Sequence, residues 1–332
     1  MTTYAAWPYN LCQMGQEVTP GTAVTPTSLW RGPFGGFGDD RTRESIQEDI
    51  GIMAPAERTY DGFLAVSVPM PETGMTFEQF PHILQGSLGK VLPTGSNPYT
   101  WLYRVPTDGT SPILQPYTLV LGNRLASSDV RVLPYCFVAD WEAKGEAGKN
   151  WTISANWKGA RYTAGAFATI ALPTVEDVVF AKTKLYIDAA GGTIGTTQKL
   201  GVLLGASIKY TSGIEMVPVG DGNLYAVAHK IGKPSVSISL KLEVEQAAGV
   251  SIVAQERAFH DSNTPRLIRL DAGGSGSKKM IFDLAALYDN FGKYEKQGEQ
   301  DTAVTIDGHC DYNSAADLFF AATIINTLSA IP

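Results

Sequence analysis

Histidine and cysteine are scarce in this chain, basic charge is in the minority, and no long apolar run occurs. The four histidines, His82, His229, His260 and His309, are scattered, and neither a CxxC nor an HxxxH pattern is present. Metal ligation needs such side chains at fixed short spacings, so no metal site is expected and no cofactor is implied. The three cysteines, Cys12, Cys136 and Cys310, are odd in number and far apart, which excludes a disulfide framework and fits a reducing compartment of synthesis. Cys136 and Cys310 fall in strand-like runs, where a free thiol is a small buried hydrophobe. No stretch of about 18 apolar residues exists, so no membrane-spanning helix is expected. The opening MTTYAAWPYN lacks the basic and apolar regions of a secretion signal, and synthesis in the cytoplasm is the expectation.

Basic charge is outweighed: the net charge is −7 and the isoelectric point about 5.2. That argues against a surface built to grip nucleic acid, which requires clustered Lys and Arg, but leaves room for DNA to slide past without sticking. Nucleotide loops are missing too. GPFGGFG and AAGGTIG do not give a phosphate-binding spacing between a buried strand and a helix, and no G-x-S-x-G elbow is present. The acidic pairs Asp39–Asp40 and Glu48–Asp49 lie in Gly-rich or polar surroundings and are read as solvated. Asn150-Trp151-Thr152 matches a glycosylation sequon by chance.

What is present is alternation. The 332 residues are 44% hydrophobic and 18% charged, with 34 Gly and 19 Pro spread along the chain, which suits a globular protein of many short strands and turns and is long enough for two domains. In Asp129–Tyr162 the apolar side chains Val130, Val132, Tyr135, Phe137 and then Trp151, Ile153, Ala155, Trp157 recur at roughly every second position, with one step of three between Val132 and Tyr135. That period sets alternate side chains on opposite faces of a sheet. The charged join Glu142–Asn150 carries Gly145 and Gly148, as a hairpin loop does. The same design returns as MIFDLAALYD (Met280–Asp289), the charged NFGKYEKQGEQ, and DTAVTIDGHCDY (Asp301–Tyr312).

Other elements follow the same order in both halves. GTAVTPTSL is echoed by GGTIGTTQKL, and each half has a helix after a strand: TFEQFPHIL, with Thr76 as its cap, and EQAAGVSIVAQERAF, about Glu245–Phe259. Tyr60–Met70 reads as a strand ended by Pro69 and Pro71, and Tyr99–Pro106 and Pro116–Arg124 read as strands joined by TDGTSPILQ. The offset between matching elements drifts from about 170 to about 150 residues, as loops differ between copies of an old duplication. We therefore expect a mainly β fold, a tandem duplicated β-sandwich with one flanking short helix per half. Its units are an arm over 1–45, a first β domain over 46–170 and a second over 171–332. The arm looks irregular, yet its aromatics are costly to leave in water, so it is expected to dock. The expected contact residues between subunits are Trp7, Tyr9, Leu29, Trp30, Phe34 and Phe37 of the arm. To them we add Lys144, Glu146 and Lys149 of the first hairpin loop and Lys293, Glu295 and Lys296 of the second.

GQEVTPGTAVTPTSLWRG, EDIGIMAPAERTY, the TFEQFPHIL helix and the closing DGHCDYNSAADLFFAATIINTL resemble the major tail tube protein of long-tailed bacteriophages, and the order of elements fits over about the full chain. The resemblance implies a structural virion protein that is not an enzyme. Its protomers join their inner sheets into a barrel, and stacked rings form a tube through which the genome passes. Rings of that family are usually hexameric, and members carrying two copies of the fold form trimeric rings of pseudo-sixfold symmetry. The duplication favours the trimer, in a non-contractile tail. Partners implied are the chain itself and the tape measure, tail terminator and distal tail proteins, with viral DNA in the lumen unbound. The alternatives are another virion β protein, as in a baseplate, decoration or fibre, and less so a β-rich hydrolase.

Overall fold

The computed structural model describes residues 6–53, 57–244, 251–297 and 301–332. In the first half the strands are β1 (Asn10–Gln16), β2 (Ser28–Leu29), β3 (Gly38–Asp39), β4 (Thr42–Ser45), β5 (Thr59–Phe63) and β6 (Val66–Gly74). Helix α1 (Phe80–Ser87) follows, then β7 (Tyr99–Arg104), β8 (Tyr117–Asn123), β9 (Arg131–Glu146), β10 (Thr152–Gly159) and β11 (Thr163–Ala164). The second half has β12 (Thr183–Ala189), β13 (Gln198–Lys199), β14 (Leu203–Thr211), β15 (Ile214–Val217), β16 (Ala228–Ile231) and β17 (Ser235–Glu243). Helix α2 (Ile252–Asp261) precedes β18 (Arg266–Gly273), β19 (Lys279–Phe291), β20 (Glu295–Gln297), β21 (Asp301–Cys310) and β22 (Phe320–Asn326). The protein is mainly β, and every ladder between these strands is antiparallel.

One layer is a long sheet in the order β6–β10–β9–β14–β17–β21–β19. The other layer is in two parts. β2, β1 and β8 lie beside the first part of β9, and β13, β12 and β18 beside the first part of β19, which β22 and β7 continue. β9 and β19 thus belong to both layers: Arg131–Cys136 pairs with β8, Phe137–Lys144 with β10. Strands that switch sheets turn corners at irregular residues. In β9 that residue is Tyr135, whose φ of 59° is unusual for a side-chain-bearing residue; its N–H donates to the buried Glu17 carboxylate at 2.8 Å. Burial raises the pKa of Glu17, against the pull of its hydrogen bonds from Tyr135, Gly21 and Thr118.

The two halves share one local irregularity. In the first hairpin the register shifts between Trp157↔Val138 and Asn156↔Asp140; in the second, between Gly308↔Tyr288 and Asp307↔Asn290. The insertion that shortens the later offset is the stretch containing β7. β7 does not pair with β8, as a hairpin reading of Tyr99–Arg124 would have it, but with β22 of the other half, where Trp101 Nε1 donates to Asn326 Oδ1 at 3.1 Å. A connection of a dozen residues fixes no register, so the neighbour is chosen by packing.

Four further expectations are revised. The arm contributes a strand: β1 pairs with β8 along its full length, burying Cys12 and Met14. β6 runs through Pro69 and Pro71 to Gly74. Prolines fit there because β6 edges the long sheet; the Pro69 carbonyl accepts from Gly35 N at 2.9 Å on the side away from β10, so its missing N–H lies on that outer edge. α2 begins at Ile252, with Ser251 Oγ accepting from Ala254 N at 3.1 Å; the earlier part of the expected helix, 245–250, lies outside the described residues. Thr76 is not the cap of α1: Gln79 holds that place without a side-chain cap, and Thr76 Oγ1 accepts from Gln79 N at 3.2 Å in the turn before the helix.

The core lies between the layers and crosses both halves. All eight residues of α1 are buried, and its Phe80 ring meets Trp141 and Phe282 edge-on at 5.5 and 5.9 Å. Ser87 Oγ accepts from Trp141 Nε1 at 3.1 Å. Aromatic rings of this size dominate burial energy. A polar tie adds to the union: Lys278 Nζ bridges Glu78 at 2.7 Å and Glu176 at 3.0 Å, and Glu176 also accepts from Ser275.

Candidate functional site

The long sheet has two unlike faces because its strands alternate. One side carries Ile153, Ala155 and Trp157 of β10, Trp141 and Ala143 of β9, Ile208 and Tyr210 of β14 and Ile238, Leu240 and Leu242 of β17, all buried. The side chains between them point the other way and meet across strands in polar rows. Ser154 stands opposite Glu142, Glu142 opposite Lys209, Lys209 opposite Ser237, and Ser237 opposite His309. The next row runs Thr152, Lys144, Ser207, Ser239, Asp307 and Asn290. Directly opposite residues on one face of a sheet lie within contact distance, so each row is a continuous surface.

Short polar contacts order that surface. Asn156 Nδ2 donates to Asp140 at 2.8 Å, Ser207 Oγ to Glu142 at 3.0 Å, and Lys144 Nζ lies 3.0 Å from Glu142. His309 Nδ1 lies 2.7 Å from Asp289, and this hydrogen bond above all raises the pKa of the imidazole. The face carries the carboxylates Asp140, Glu142, Glu146, Glu243, Asp289 and Asp307 against the ammonium groups of Lys144, Lys158, Lys209 and Lys241, interspersed with Ser and Thr. The acidic excess and the small hydroxyls suit a surface that repels phosphate weakly and binds nothing tightly. Among the described residues no group of His, Cys, Asp and Glu could hold a metal ion.

Of the twelve expected contact residues, the structure brings some together and takes others out of reach. Trp30 and Phe34 are buried in this chain's own core, and Phe37 packs on Tyr162 with ring centroids 4.9 Å apart. Leu29 is half-buried, and its carbonyl accepts from Gln79 Nε2 at 2.9 Å. Trp7 and Tyr9, in a 3-10 turn, remain 66% and 48% exposed. Lys144, Glu146 and Lys149 line a shallow depression with Glu72, Thr152 and Lys241, and Lys149 Nζ pairs with Glu146 at 2.6 Å. Lys293, Glu295 and Lys296 are exposed along the border of the sheet beyond β19. The sequence reading did not single out Asp140, Glu142, Lys209, Ser237, Ser239 or Asp307. The signal was there in S-x-S-x-S-x-K of β17, whose polar positions share one face.

The borders of the long sheet are sparsely covered: beyond β10, β6 holds the two-residue β3, and past Ala286 β19, followed by β20, pairs among the described residues with β21 alone. The fold is mainly β, with large antiparallel sheets, one polar face and one buried aromatic face. The chain matches the model of the phage tail tube protein family over residues 12–322, and it belongs to that family. Among curated proteins none matches it. The family is a structural one of the virion tail, not an enzyme family.

Proposed function

We propose that copies of this chain close edge to edge into rings, that the polar face of the long sheet lines the hole, and that stacked rings form a tail tube through which the viral genome is ejected. The observation that carries this reading is the seven-stranded sheet itself, polar on one face and with sparsely covered borders, in a member of the tail tube family. Open edges left in water invite uncontrolled pairing, and ring closure removes them. A head-to-tail contact that closes by rotation makes a ring; one repeated along an axis makes a filament. The acidic excess of the face lets phosphates pass without adhering.

In this reading the chain is an arm over 1–45 and two tail-tube-like domains over 46–170 and 171–332. The shared bulges of the two hairpins support three chains per ring with pseudo-sixfold symmetry over six. Rings stack through the exposed Trp7 and Tyr9 and the end of the first hairpin at Lys149; Lys144 and Glu146, in β9, belong to the polar face, and Lys293, Glu295 and Lys296 border it where the next copy joins. The chain is made in the host cytoplasm, resides in a non-contractile tail, and meets the tape measure, tail terminator and distal tail proteins at the tube's bore and ends. Negative-stain electron microscopy of concentrated protein tests this. Tubes or rings of three chains with a central hole are expected; six chains per ring would overturn the pseudo-sixfold arrangement, and a monomer at every salt concentration the whole reading.

A further inference from the structure

The chain contains an internal example of the junction that a ring would need. Within it, the second part of β9 receives β14 on the side away from β10, with Asp140 opposite Thr211 and Glu142 opposite Lys209. In the second half, among the described residues, the matching part of β19 has no such neighbour: past Ala286 its ladder partner is β21 alone. The shared bulge sets the correspondence. Asp140 follows the register shift in the first hairpin as Asn290 does in the second, so Asn290 holds the place of Asp140 and Gly292 that of Glu142.

The missing strand can be found in the same way. β14 lies on β17 with Lys209 opposite Ser237; β3 lies on β6 with Gly38 opposite Ser67. Ser237 and Ser67 each sit one residue before the partner of the bulge pair, opposite His309 and Lys158. Gly38 therefore stands where Lys209 stands, and Asp40 where Thr211 stands. Within its own chain β3 has one neighbour, β6, so its other side is available.

Resting on the ring reading, we infer that segment 34–40 of one copy adds as an antiparallel strand to residues 290–296 of the next, with Asp40 opposite Asn290 and Gly38 opposite Gly292. The glycines suit both states. Gly36 has a φ of 83°, which an extended partner strand would straighten and which glycine alone reverses freely. Gly292 has no room for a side chain even within one copy, where an added Cβ would lie 2.7 Å from the Thr305 carbonyl, and at Gly38 it would lie 2.7 Å from Ser67 Oγ, which would have to turn aside. Asp40 and Asn290 are both exposed. A strand pair made by backbone hydrogen bonds needs little from side chains, which is how an edge recognises a strand.

The test is a cysteine pair, Asp40→Cys with Asn290→Cys, against the misregistered pair Asp40→Cys with Lys296→Cys. All three native cysteines are buried and will not compete. Opposite residues satisfy the Cα separation a disulfide needs, about 4.4–6.8 Å, whereas six residues of slip move the sulfurs about 20 Å apart. Oxidised assemblies of the first pair should run on a non-reducing gel as a covalent ladder ending at the ring, and the second pair should stay monomeric. Rings seen by microscopy without that ladder, or with equal linking of both pairs, overturn the register while leaving the tube reading intact; no rings at all overturn both. Should either variant fail to assemble, hydrogen exchange on native tubes decides. Amides of 34–40 and 290–296 become protected on assembly, and their continued exchange at the free-chain rate overturns the inference.

Discussion

Trp141 of β9 and Tyr210 of β14 are direct cross-strand partners, and their rings stack 5.6 Å apart at 18° from parallel. This is where the first half of the chain passes into the second. Trp141 is fully buried and also meets Phe80, Phe282 and Phe320, so one side chain joins a helix and strands of both halves. Trp141→Ala should therefore cost about 3–5 kcal/mol, the range for deleting a buried large aromatic. Denaturant unfolding of the unassembled chain measures it; a loss of under about 1 kcal/mol would mean that the junction does not bind the halves together.

His82 on α1 is fully buried, its Nδ1 has no hydrogen-bond partner, and desolvation lowers its pKa to about 4. An unfolded chain binds the proton below about pH 6.5, and the folded chain does not until about pH 4. Stability should thus fall as pH drops through that window, by roughly 3 kcal/mol in total from this group. Replacing the ring with an apolar side chain, His82→Leu, should flatten the profile between pH 6.5 and 4 when unfolding midpoints are compared. An unchanged slope would mean that the imidazole is hydrated.

Asp188, at the end of β12, is buried and closes the following turn: it accepts from Gly195 N, Thr196 N, Thr196 Oγ1 and Thr197 N at 2.7, 3.2, 2.7 and 2.8 Å. Burial opposes its charge, but the hydrogen bonds prevail and hold the pKa at about 2. A lowered folded pKa stabilises above the unfolded value, near 4, and that contribution disappears as pH falls to about 2. Asp188→Asn should cost roughly 2 kcal/mol at neutral pH and almost nothing at pH 2. Equal losses at both would sink the assignment.

Arg266 and Glu256 form an ion pair with both side chains out of water, at 3.0 Å, capped by Tyr288 Oη on the carboxylate and by the Phe259 ring 3.9 Å from the guanidinium carbon. This pair fastens α2 to β18 and β19. Glu256→Ala leaves a buried cation uncompensated and should cost about 3–5 kcal/mol. The double variant Glu256→Ala with Arg266→Met should recover much of it; failure to recover would show that the helix is held by packing alone.

Charge on the polar face can be tested directly. Asp140→Lys, Glu142→Lys and Asp307→Lys together turn its balance from acidic to basic. The wild-type chain should bind duplex DNA negligibly, while the variant should bind with an affinity that falls with salt at a slope of about −0.9 per phosphate engaged. Fluorescence anisotropy in a salt series reads this. Equal binding by both proteins would mean that the face does not govern contact with DNA.

Both long hairpins were legible in the sequence because alternation and turn residues are properties of consecutive positions. Their loops, however, were drawn too long: Glu142–Glu146 continue β9, where Gly145 is buried, and Glu295–Gln297 form β20, since charged side chains on the exposed face of a strand resemble a loop. Also legible were the two helices in their places and the drift in offset between the halves. The arm was not: Cys12, Gln13, Met14 and Gly15 are buried in succession, so no alternation announces a strand that forms where β8 offers it an edge. The polar face was hidden for a related reason. Lys144, Ser207, Ser239 and Asp307 come from four strands, and no local spacing links them.

The sequence by itself determined which side chains of each strand share a face, where the chain turns, and that the protein offers no metal-binding or nucleotide-binding motif; these depend on neighbours within a few residues. The tertiary structure decided which strand lies beside which. β7 could have joined β8 and instead joins β22, and β9 takes β14 on its free side while β19 is left open. Strands of similar pattern compete for the same edges, and the winner is set by how the aromatic core of Trp101, Trp141, Phe80 and Phe282 closes around α1, a contest among residues spread between positions 80 and 282.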